Sequence, residues 1–226
     1  TTLIQKTATK KIEYKYDAAG VRITKIVTNG AVVKTTEYIS GFVTENSSLI
    51  YYAAAEGRVR SDAGVLKHEY MITDWQGNVR LSFEDNGSGT PITRQESSYY
   101  AFGMQIAGGY TPPSNTNKFL YNAGSELQDD IEEGMADYYS TFYREYDAVL
   151  GRFNGVDMAA AELHDWGVYQ YSFSNPVNFN DPWGDNPTDG GAVLGRQMQQ
   201  EYEGWRDGRY GSYRDILTFG YLNDGG

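Results

Sequence analysis

The chain of 226 residues contains no cysteine, two histidines and six prolines. Without cysteine it has neither a disulfide framework nor a thiolate metal site. A histidine-rich zinc site is excluded, and a Ser-His-Asp triad would have to use His68 or His164. No apolar run approaches the roughly 20 residues that span a membrane, and no signal peptide opens the sequence. These absences direct attention to fold and assembly rather than to metal or thiol chemistry.

Positive charge is also scarce, with 19 basic against 30 acidic residues and a formal net charge of -11. Phosphate repulsion would oppose nucleic-acid binding over the whole surface. The sequence therefore predicts no nucleic-acid partner, and no cofactor is implied.

Tyrosine and glycine are abundant, with 20 and 26 residues respectively. Tyrosine favours strands and glycine favours tight turns, so the composition predicts a mainly β protein. Asn29-Gly30 is the strongest hairpin signal in the chain. We expect antiparallel hairpins before residue 143 and a different organisation after residue 184.

One turn pattern occurs three times, in Asp17 to Gly20, Asp74 to Gly77 and Asp147 to Gly151. In each case an aromatic or β-branched strand enters, an aspartate starts the turn and a glycine ends it. A single copy is common in β proteins. Three degenerate copies of one hairpin indicate a repeat sheet rather than a catalytic fold.

The ordered motifs resemble the Rhs family of tyrosine-aspartate (YD) repeat proteins. Tyr16-Asp17-Ala-Ala-Gly20 is similar to a YD repeat, and the later motifs are similar to the Rhs repeat-associated core. Those motifs are Asp74-Trp-Gln-Gly-Asn-Val-Arg80, Tyr99-Tyr-Ala-Phe-Gly103, Lys118-Phe-Leu-Tyr-Asn122, Glu126-Leu-Gln-Asp129, Tyr146-Asp147, Leu150-Gly-Arg-Phe153, Tyr169-Gln-Tyr171, Asn175-Pro-Val177 and Asp181-Pro-Trp-Gly184. The resemblance covers about residues 10 to 184 in the expected order.

The resemblance implies an antiparallel sheet of YD-repeat hairpins that forms part of a hollow shell. The Rhs core then closes the shell as a plug, and a variable C-terminal segment follows. We accordingly expect YD-repeat hairpins in residues 1–64, the core in residues 65–184 and a partly helical variable segment in residues 185–226. That last segment could be the start of an effector.

The resemblance also implies a function in a large bacterial protein that is secreted or displayed on the cell surface, in some relatives through type IX secretion. The core would encapsulate or present the C-terminal segment for toxin delivery in interbacterial competition. The expected partners are an upstream YD-repeat shell or other protein chains, a secretion-system component or an immunity protein. A surface adhesion or structural module is the alternative from another class.

In many Rhs proteins the core is an aspartyl autoprotease that cuts after a DPxGL-type motif. Carried over by motif, Asp157 and Asp165 are the candidate catalytic pair, and Asp181 belongs to the cleavage motif. Two close carboxyl groups can share a proton and activate water. The sequence departs from the cleaving pattern at Met158, which replaces proline, and at Asp185, which replaces leucine. The alternative is that the three aspartates only satisfy backbone N–H groups in turns and caps.

Other features favour structural roles. The acidic run of Asp129, Asp130, Glu132 and Glu133 lacks the spacing of a calcium loop and is more typical of a solvated face. Three tryptophans lie beside turns and are expected to pack there rather than to stack sugars; they are Trp75, Trp166 and Trp183. Short helical patterns occur at residues 159–164 and 192–202.

Overall fold

The computed structural model describes residues 2–18, 20–54, 56–110, 116–131, 138–161 and 165–189, with side chains from residue 7 to residue 187 of these ranges. The described chain forms two antiparallel sheets and a short third one. The helical structure in these ranges is a 3-10 turn at Ser172–Ser174. The predicted mainly β fold is therefore confirmed. No described helix has the length and apolar character that a membrane crossing requires.

The large sheet contains ten strands in sequence order, and each is antiparallel to the next. Its strands are β1 (Thr2–Thr7), β2 (Lys10–Tyr16), β3 (Arg22–Asn29), β4 (Val32–Ile39), β5 (Phe42–Glu45), β6 (Ser48–Ala54), β7 (Gly57–Asp62), β8 (Val65–Thr73), β9 (Val79–Asp85) and β10 (Pro91–Glu96). Such a meander needs only hairpin turns, which explains the glycine content.

The three predicted aspartate turns form as the sequence indicated. Asp17 Oδ1 accepts the Val21 N–H at 2.9 Å, and Asp74 Oδ1 accepts the Gln76 N–H at 3.1 Å. Asp147 Oδ1 accepts the N–H groups of the two residues that follow Ala148, at 2.9 Å each. Each turn closes on a glycine with positive φ. Local side-chain hydrogen bonding therefore sets these three hairpins.

The small sheet contains five strands, also in sequence order. They are β11 (Phe119–Tyr121), β12 (Ser125–Gln128), β13 (Tyr138–Ser140), β14 (Glu145–Asp147) and β15 (Arg152–Phe153). Two further short strands, β16 (Phe179–Asn180) and β17 (Thr188–Asp189), pair with each other. The main hydrophobic core lies around the small sheet and consists of Val79, Leu120, Tyr121, Tyr139, Tyr146, Ala148, Phe153 and Tyr171.

One face of the large sheet packs against the small sheet. The register aligns Tyr38 with Val43, Val43 with Tyr51 and Tyr51 with Arg60, so these residues share one face, and all four are buried. The Tyr51 ring contacts Phe119 of β11 edge-on, with 6.5 Å between centroids. We call this the inner face.

Buried ion pairs cross the boundary between the two sheets. Glu126 of β12 binds Arg22 and, at 2.7 Å, Lys25 of the large sheet. Asp130 binds the same Lys25 at 2.9 Å and Lys118 at 2.9 Å. The predicted solvated face is therefore wrong for Asp130, whose side chain is buried and paired with two lysines. Asp129 is exposed and binds Lys118, while Glu132 and Glu133 lie outside the described residues. Paired charges of this kind fix how the sheets meet, because an unpaired charge would be costly there.

The large sheet continues without a break across the predicted boundary between residues 64 and 65. Ser61 pairs with Leu66, and Asp62 pairs with Val65. The division into residues 1–64 and 65–184 remains a proposal from the sequence resemblance. In the predicted helical stretch 159–164, residues up to 161 form turns. Residues 162–164 and the predicted helix at 192–202 lie outside the described residues.

Candidate functional site

Arg144 is the centre of a buried polar site close to the end of the described chain. Its Nη2 lies 2.8 Å from Asp157 Oδ2 and 3.3 Å from Asp181 Oδ2. Its Nη1 donates to the Val168 carbonyl at 3.3 Å, and its Nε donates to the Gly184 carbonyl. One guanidinium thus joins four separate segments of the chain.

The small sheet holds Arg144 in place. Arg144 immediately precedes β14, and its guanidinium lies over the ring of Phe153 in β15, 3.8 Å from the centroid. The hairpin that begins at Asp147 pairs these two strands. A planar guanidinium suits this position, because it can stack on a ring and still donate from its edge to several acceptors.

Asp181 organises the residues that follow it. Its Oδ1 accepts the N–H groups of Gly184, Asp185 and Asn186 at 2.8, 3.1 and 3.3 Å. The Asn122 side chain binds both backbone groups of Asp181. It donates to the Asp181 carbonyl at 2.7 Å and accepts the Asp181 N–H at 2.9 Å. Asp181 is fully buried. The Asp-Pro-Trp-Gly motif is consequently a fixed turn inside the protein.

The same network reaches the tip of the β8–β9 hairpin in the large sheet. Asn122 N–H donates to Asn78 Oδ1 at 2.7 Å. Gln76 Nε2 donates to the Pro176 carbonyl at 3.0 Å, and Asn180 Nδ2 donates to the Gln76 carbonyl at 3.1 Å. The hairpin tip is thereby attached to the segment that leads into Asp181.

Gly184 occupies a position that excludes a side chain. Its φ is +75°, and an added Cβ would collide with Thr141 Oγ1 and lie 3.3 Å from the Arg144 backbone nitrogen. Beside it, the Trp183 carbonyl accepts the Tyr143 N–H at 2.9 Å, and the Trp183 ring contacts Phe142 at 5.4 Å. Backbone conformation and close packing both require glycine here.

The site holds one cation among three acidic groups. Burial raises the pKa of Asp181 to about 6, because the charge of Asp185 adds to the effect of burial while Arg144 and the backbone N–H groups only partly oppose it. Burial also raises the pKa of Asp185, helped by the charge of Asp157. Burial lowers the pKa of Arg144, although both carboxylates oppose this. The arrangement can therefore hold or release a proton near neutral pH.

The structure brings together two of the three predicted site residues. Asp157 and Asp181 are buried and share Arg144, whereas Asp165 is exposed in a turn. Asp157 Oδ1 also accepts the Ala159 N–H at 2.9 Å, so it stabilises a turn as well. Sequence reasoning missed Arg144, whose signal was only a basic residue directly before an aromatic strand.

The remaining candidates have ordinary surroundings. His68 is exposed and stacks on Tyr70, and His164 lies outside the described residues. Trp166 contacts Phe173 at 4.8 Å, whereas Trp75 is 54% exposed at the tip of its hairpin. Within the described ranges, no group of three or more histidine, aspartate or glutamate residues could hold a metal ion.

Comparison with known proteins shows a shared fold. No family model and no curated protein sequence matches the chain. Among solved structures, it is similar to TcdB2-TccC3-Cdc42 (TM-score 0.60, 19% identity, 81% of this chain) and to TcdB2-TccC3-TEV (0.59, 20%, 77%). It is also similar to the Photorhabdus luminescens Tc holotoxin pore with a TccC3 mutation (0.59, 19%, 82%). The chain spans 9% of the length of each of these chains. At this identity the likeness shows the fold, which is that of one part of these toxin complexes.

Proposed function

We propose that the chain is the closing part of an Rhs-type shell and that it fixes the point at which the C-terminal segment begins. The large sheet is a stretch of the wall, and the small sheet with the Arg144 site is the plug. The observation that carries this proposal is the turn at Asp181 to Asn186, which is anchored on the buried residues Asp181 and Gly184 and held by one carboxylate and one guanidinium. A segment that follows such a turn starts from a fixed place.

The inner face of the large sheet supports this reading. It carries charged and aromatic residues that are buried against the small sheet rather than open to solvent. Glu126 forms ion pairs with Arg22 and Lys25 and accepts a hydrogen bond from the Tyr38 hydroxyl at 3.1 Å. A plug that must stay seated in a wall needs specific contacts of this kind.

The likeness to TccC3-containing toxin structures supports the wider role. We infer that the chain belongs to a larger exported bacterial protein, secreted or on the cell surface, that delivers a toxin or effector in competition between bacteria. Its partners would be further YD-repeat wall, other protein chains, a secretion-system component or an immunity protein. Type IX secretion is one route consistent with the sequence resemblance.

Electron cryo-microscopy tests the shell role. The chain should be expressed in frame with whatever coding sequence flanks it. We expect a closed hollow wall that includes β1 to β10, with residues 119–189 on the inside. A large sheet with both faces in solvent and no enclosed volume would contradict the proposal.

Self-cleavage is a second candidate function, favoured by one observation. Asp157 and Asp181 are both buried and bind the same guanidinium nitrogen, next to the turn that precedes the C-terminal segment. Two carboxyl groups held at one site can act as an acid and a base. Intact mass spectrometry of the full chain, alongside an Asp157→Asn variant, tests it. A cut near Gly184 in the parent that disappears in the variant supports self-cleavage, and an uncut parent contradicts it.

The adhesion alternative has less support from the outer face of the large sheet. Two aromatic groups lie there, Phe42 with Tyr52 and His68 with Tyr70 and Phe83. The second group is stacked ring against ring, with centroids 6.0 and 5.5 Å apart. Rings that cover one another leave less free face for a glycan.

A further inference from the structure

We propose that the large sheet binds an extended peptide segment of a partner chain, in a cleft between the first half of β8 and the end of β9. The cleft has a volume of about 530 Å³, and its lining residues belong to β8, β9, β10 and the turn between β9 and β10. It is therefore separate from the plug and from the Arg144 site. The proposal goes beyond the shell role and does not depend on it.

The two strands pair over only part of their length. The register of β8 with β9 runs from Tyr70, which lies opposite Phe83, to Thr73. Towards its start β8 keeps only its other neighbour, since its pairing with β7 extends from Tyr70 back to Val65. Within the residues that the structure describes, residues 65–69 of β8 thus have a strand partner along one edge and none along the other.

The backbone groups on this open edge belong to Leu66 and His68. Ala63 and Gly64 form a two-residue hairpin loop, both with positive φ, so Val65, which closes the loop, bonds across to β7. Residues along an antiparallel strand point their backbone N–H and C=O groups alternately to the two sides. The groups of Leu66 and His68 therefore point away from β7 and into the cleft.

Asp85 presents matching groups from the other side. Tyr70 points the same way as His68 and lies opposite Phe83, so the backbone of Phe83 faces β8, and so does that of Asp85 two residues later. Asn86 faces β10 instead, since its N–H donates to the Thr90 carbonyl at 3.3 Å. Backbone donors and acceptors without a ladder partner are the groups by which a sheet takes up an added strand.

The size of the cleft fits a short stretch of extended chain. A strand residue rises about 3.3 Å, neighbouring strands lie about 4.8 Å apart and packed sheets about 10 Å apart, so one residue fills roughly 160 Å³. The cleft of about 530 Å³ therefore has room for about three residues of an inserted strand. That length matches the stretch over which Leu66 and His68 face Asp85.

The side chains around the cleft indicate which segment it would take. Leu66, His68 and Tyr70 lie on one face of β8 and line the cleft, so apolar side chains at alternate positions of the segment would pack beside them. Asp85 adds an exposed carboxylate, in a chain whose formal net charge is -11. Charge complementarity therefore favours a segment with alternating apolar and basic side chains.

The test uses the full chain and a fluorescein-labelled peptide of about seven residues in which valine and lysine alternate. We expect saturable binding by fluorescence anisotropy. The same peptide with an N-methyl group on every second residue keeps its charge and side chains but loses the N–H groups of one edge, and should bind at least about 10-fold more weakly. Hydrogen exchange resolved to single amides should show Leu66 and His68 exchanging about 10-fold more slowly once the peptide is bound, with β1 unchanged.

A charge variant gives a second measurement. Asp85 Oδ1 accepts the N–H groups of Gly87 and Gly89 at 2.9 and 3.1 Å, and an asparagine side chain keeps an oxygen there. Asp85→Asn should therefore fold like the parent and bind the lysine-containing peptide about 3-fold more weakly, because one exposed ion pair is lost. Asp165→Asn is the matched control, since Asp165 is exposed and lies outside the cleft, and it should bind like the parent.

Three results would overturn the proposal. Equal binding of the N-methylated peptide would show attraction by charge alone, without strand pairing. Slower exchange confined to β1 would place the peptide on the other open edge of the sheet. Slow exchange of the Leu66 and His68 amides before any peptide is added would show that the chain itself already fills the cleft. None of these results bears on the shell role, which microscopy decides.

Discussion

At the scale of single residues, Asp181 is a carboxyl group that the fold makes costly to ionise. Its pKa is raised to about 6 from an ordinary value of 3.8. The folded state therefore favours the protonated form of Asp181. This preference stabilises the fold fully at pH values below the unfolded-state pKa of Asp181, and the stabilisation is lost as the pH rises through the folded-state pKa. A shift of this size corresponds to roughly 3 kcal/mol at most.

The first prediction follows from the direction of this pKa shift. The free energy of unfolding of the parent should decrease between about pH 4 and pH 7 relative to that of an Asp181→Asn variant, which has no such proton to lose. Urea unfolding at several pH values measures the difference. Asp165→Asn is the control, because Asp165 is exposed. A parent and an Asp181→Asn variant that change in parallel with pH would contradict the assignment.

Gly184 gives a second prediction. Gly184→Ala should destabilise the protein by more than Gly87→Ala does. Both glycines have similar positive φ values of +75° and +81°, but the added Cβ at Gly87 meets nothing within 4 Å. The control therefore measures only the left-handed strain, about 1 kcal/mol. The collision at Gly184 should add about 1–3 kcal/mol. Equal losses in thermal unfolding would show that the close packing at Thr141 is not important.

At the scale of elements, the contact between the two sheets depends on charge as well as on apolar burial. Glu126 is buried among Arg22, Lys25 and the Tyr38 hydroxyl. Although burial alone would raise its pKa, the two cations lower the pKa of Glu126 to about 2. Its stabilising contribution is therefore present above its ordinary pKa and is lost as the pH falls through 2.

The third prediction concerns this carboxylate. Glu126→Gln should cost roughly 3 kcal/mol or more at pH 7, because buried Lys25 and partly buried Arg22 lose their nearest anion. Glu45→Gln is the control, since Glu45 forms a half-exposed pair with Lys34, and it should cost less than about 1 kcal/mol. Chemical denaturation of both variants gives the comparison. A loss no larger than that of the control would mean that the sheets are held together without this ion cluster.

The elements show which parts of the structure could be predicted from the sequence. The Asp17, Asp74 and Asp147 turns were predictable because each is specified within a few residues. The Arg144 site was not, because it joins residues 13 to 40 positions apart only after the small sheet has formed. Motif resemblance named Asp157 and Asp181, which bind the same guanidinium, but it paired Asp157 with Asp165, which is exposed. Residues that meet only through tertiary packing have no fixed spacing along the sequence, so a motif search cannot find them.

At the scale of the whole molecule, the large sheet has an open edge in the part of the chain that the structure describes. There β1 pairs only with β2. At the opposite edge, Glu96 at the end of β10 donates its backbone N–H to the Tyr110 carbonyl at 2.7 Å. A free strand edge is a template for pairing with another strand. In the proposed shell, further YD-repeat wall would cover the β1 edge.

The fourth prediction is that the isolated chain associates through β1. Its apparent mass in size-exclusion chromatography with light scattering should rise with concentration, and Leu3→Lys should reduce this rise, because charge on an edge strand discourages pairing. Val65→Lys is the control on β8, which has partners on both sides. A monomer at every concentration would show that the edge is protected in another way.

The measurement that tests the central claim most directly is hydrogen exchange of the full chain at neutral pH, followed by mass spectrometry. The account predicts that the amides of Gly184, Asp185 and Asn186 are protected about as well as those of β13, because all three donate to buried Asp181. Exchange of these amides at the rate of an unstructured peptide, while β13 stays protected, would contradict the claim that the C-terminal segment begins from a fixed turn anchored on buried Asp181.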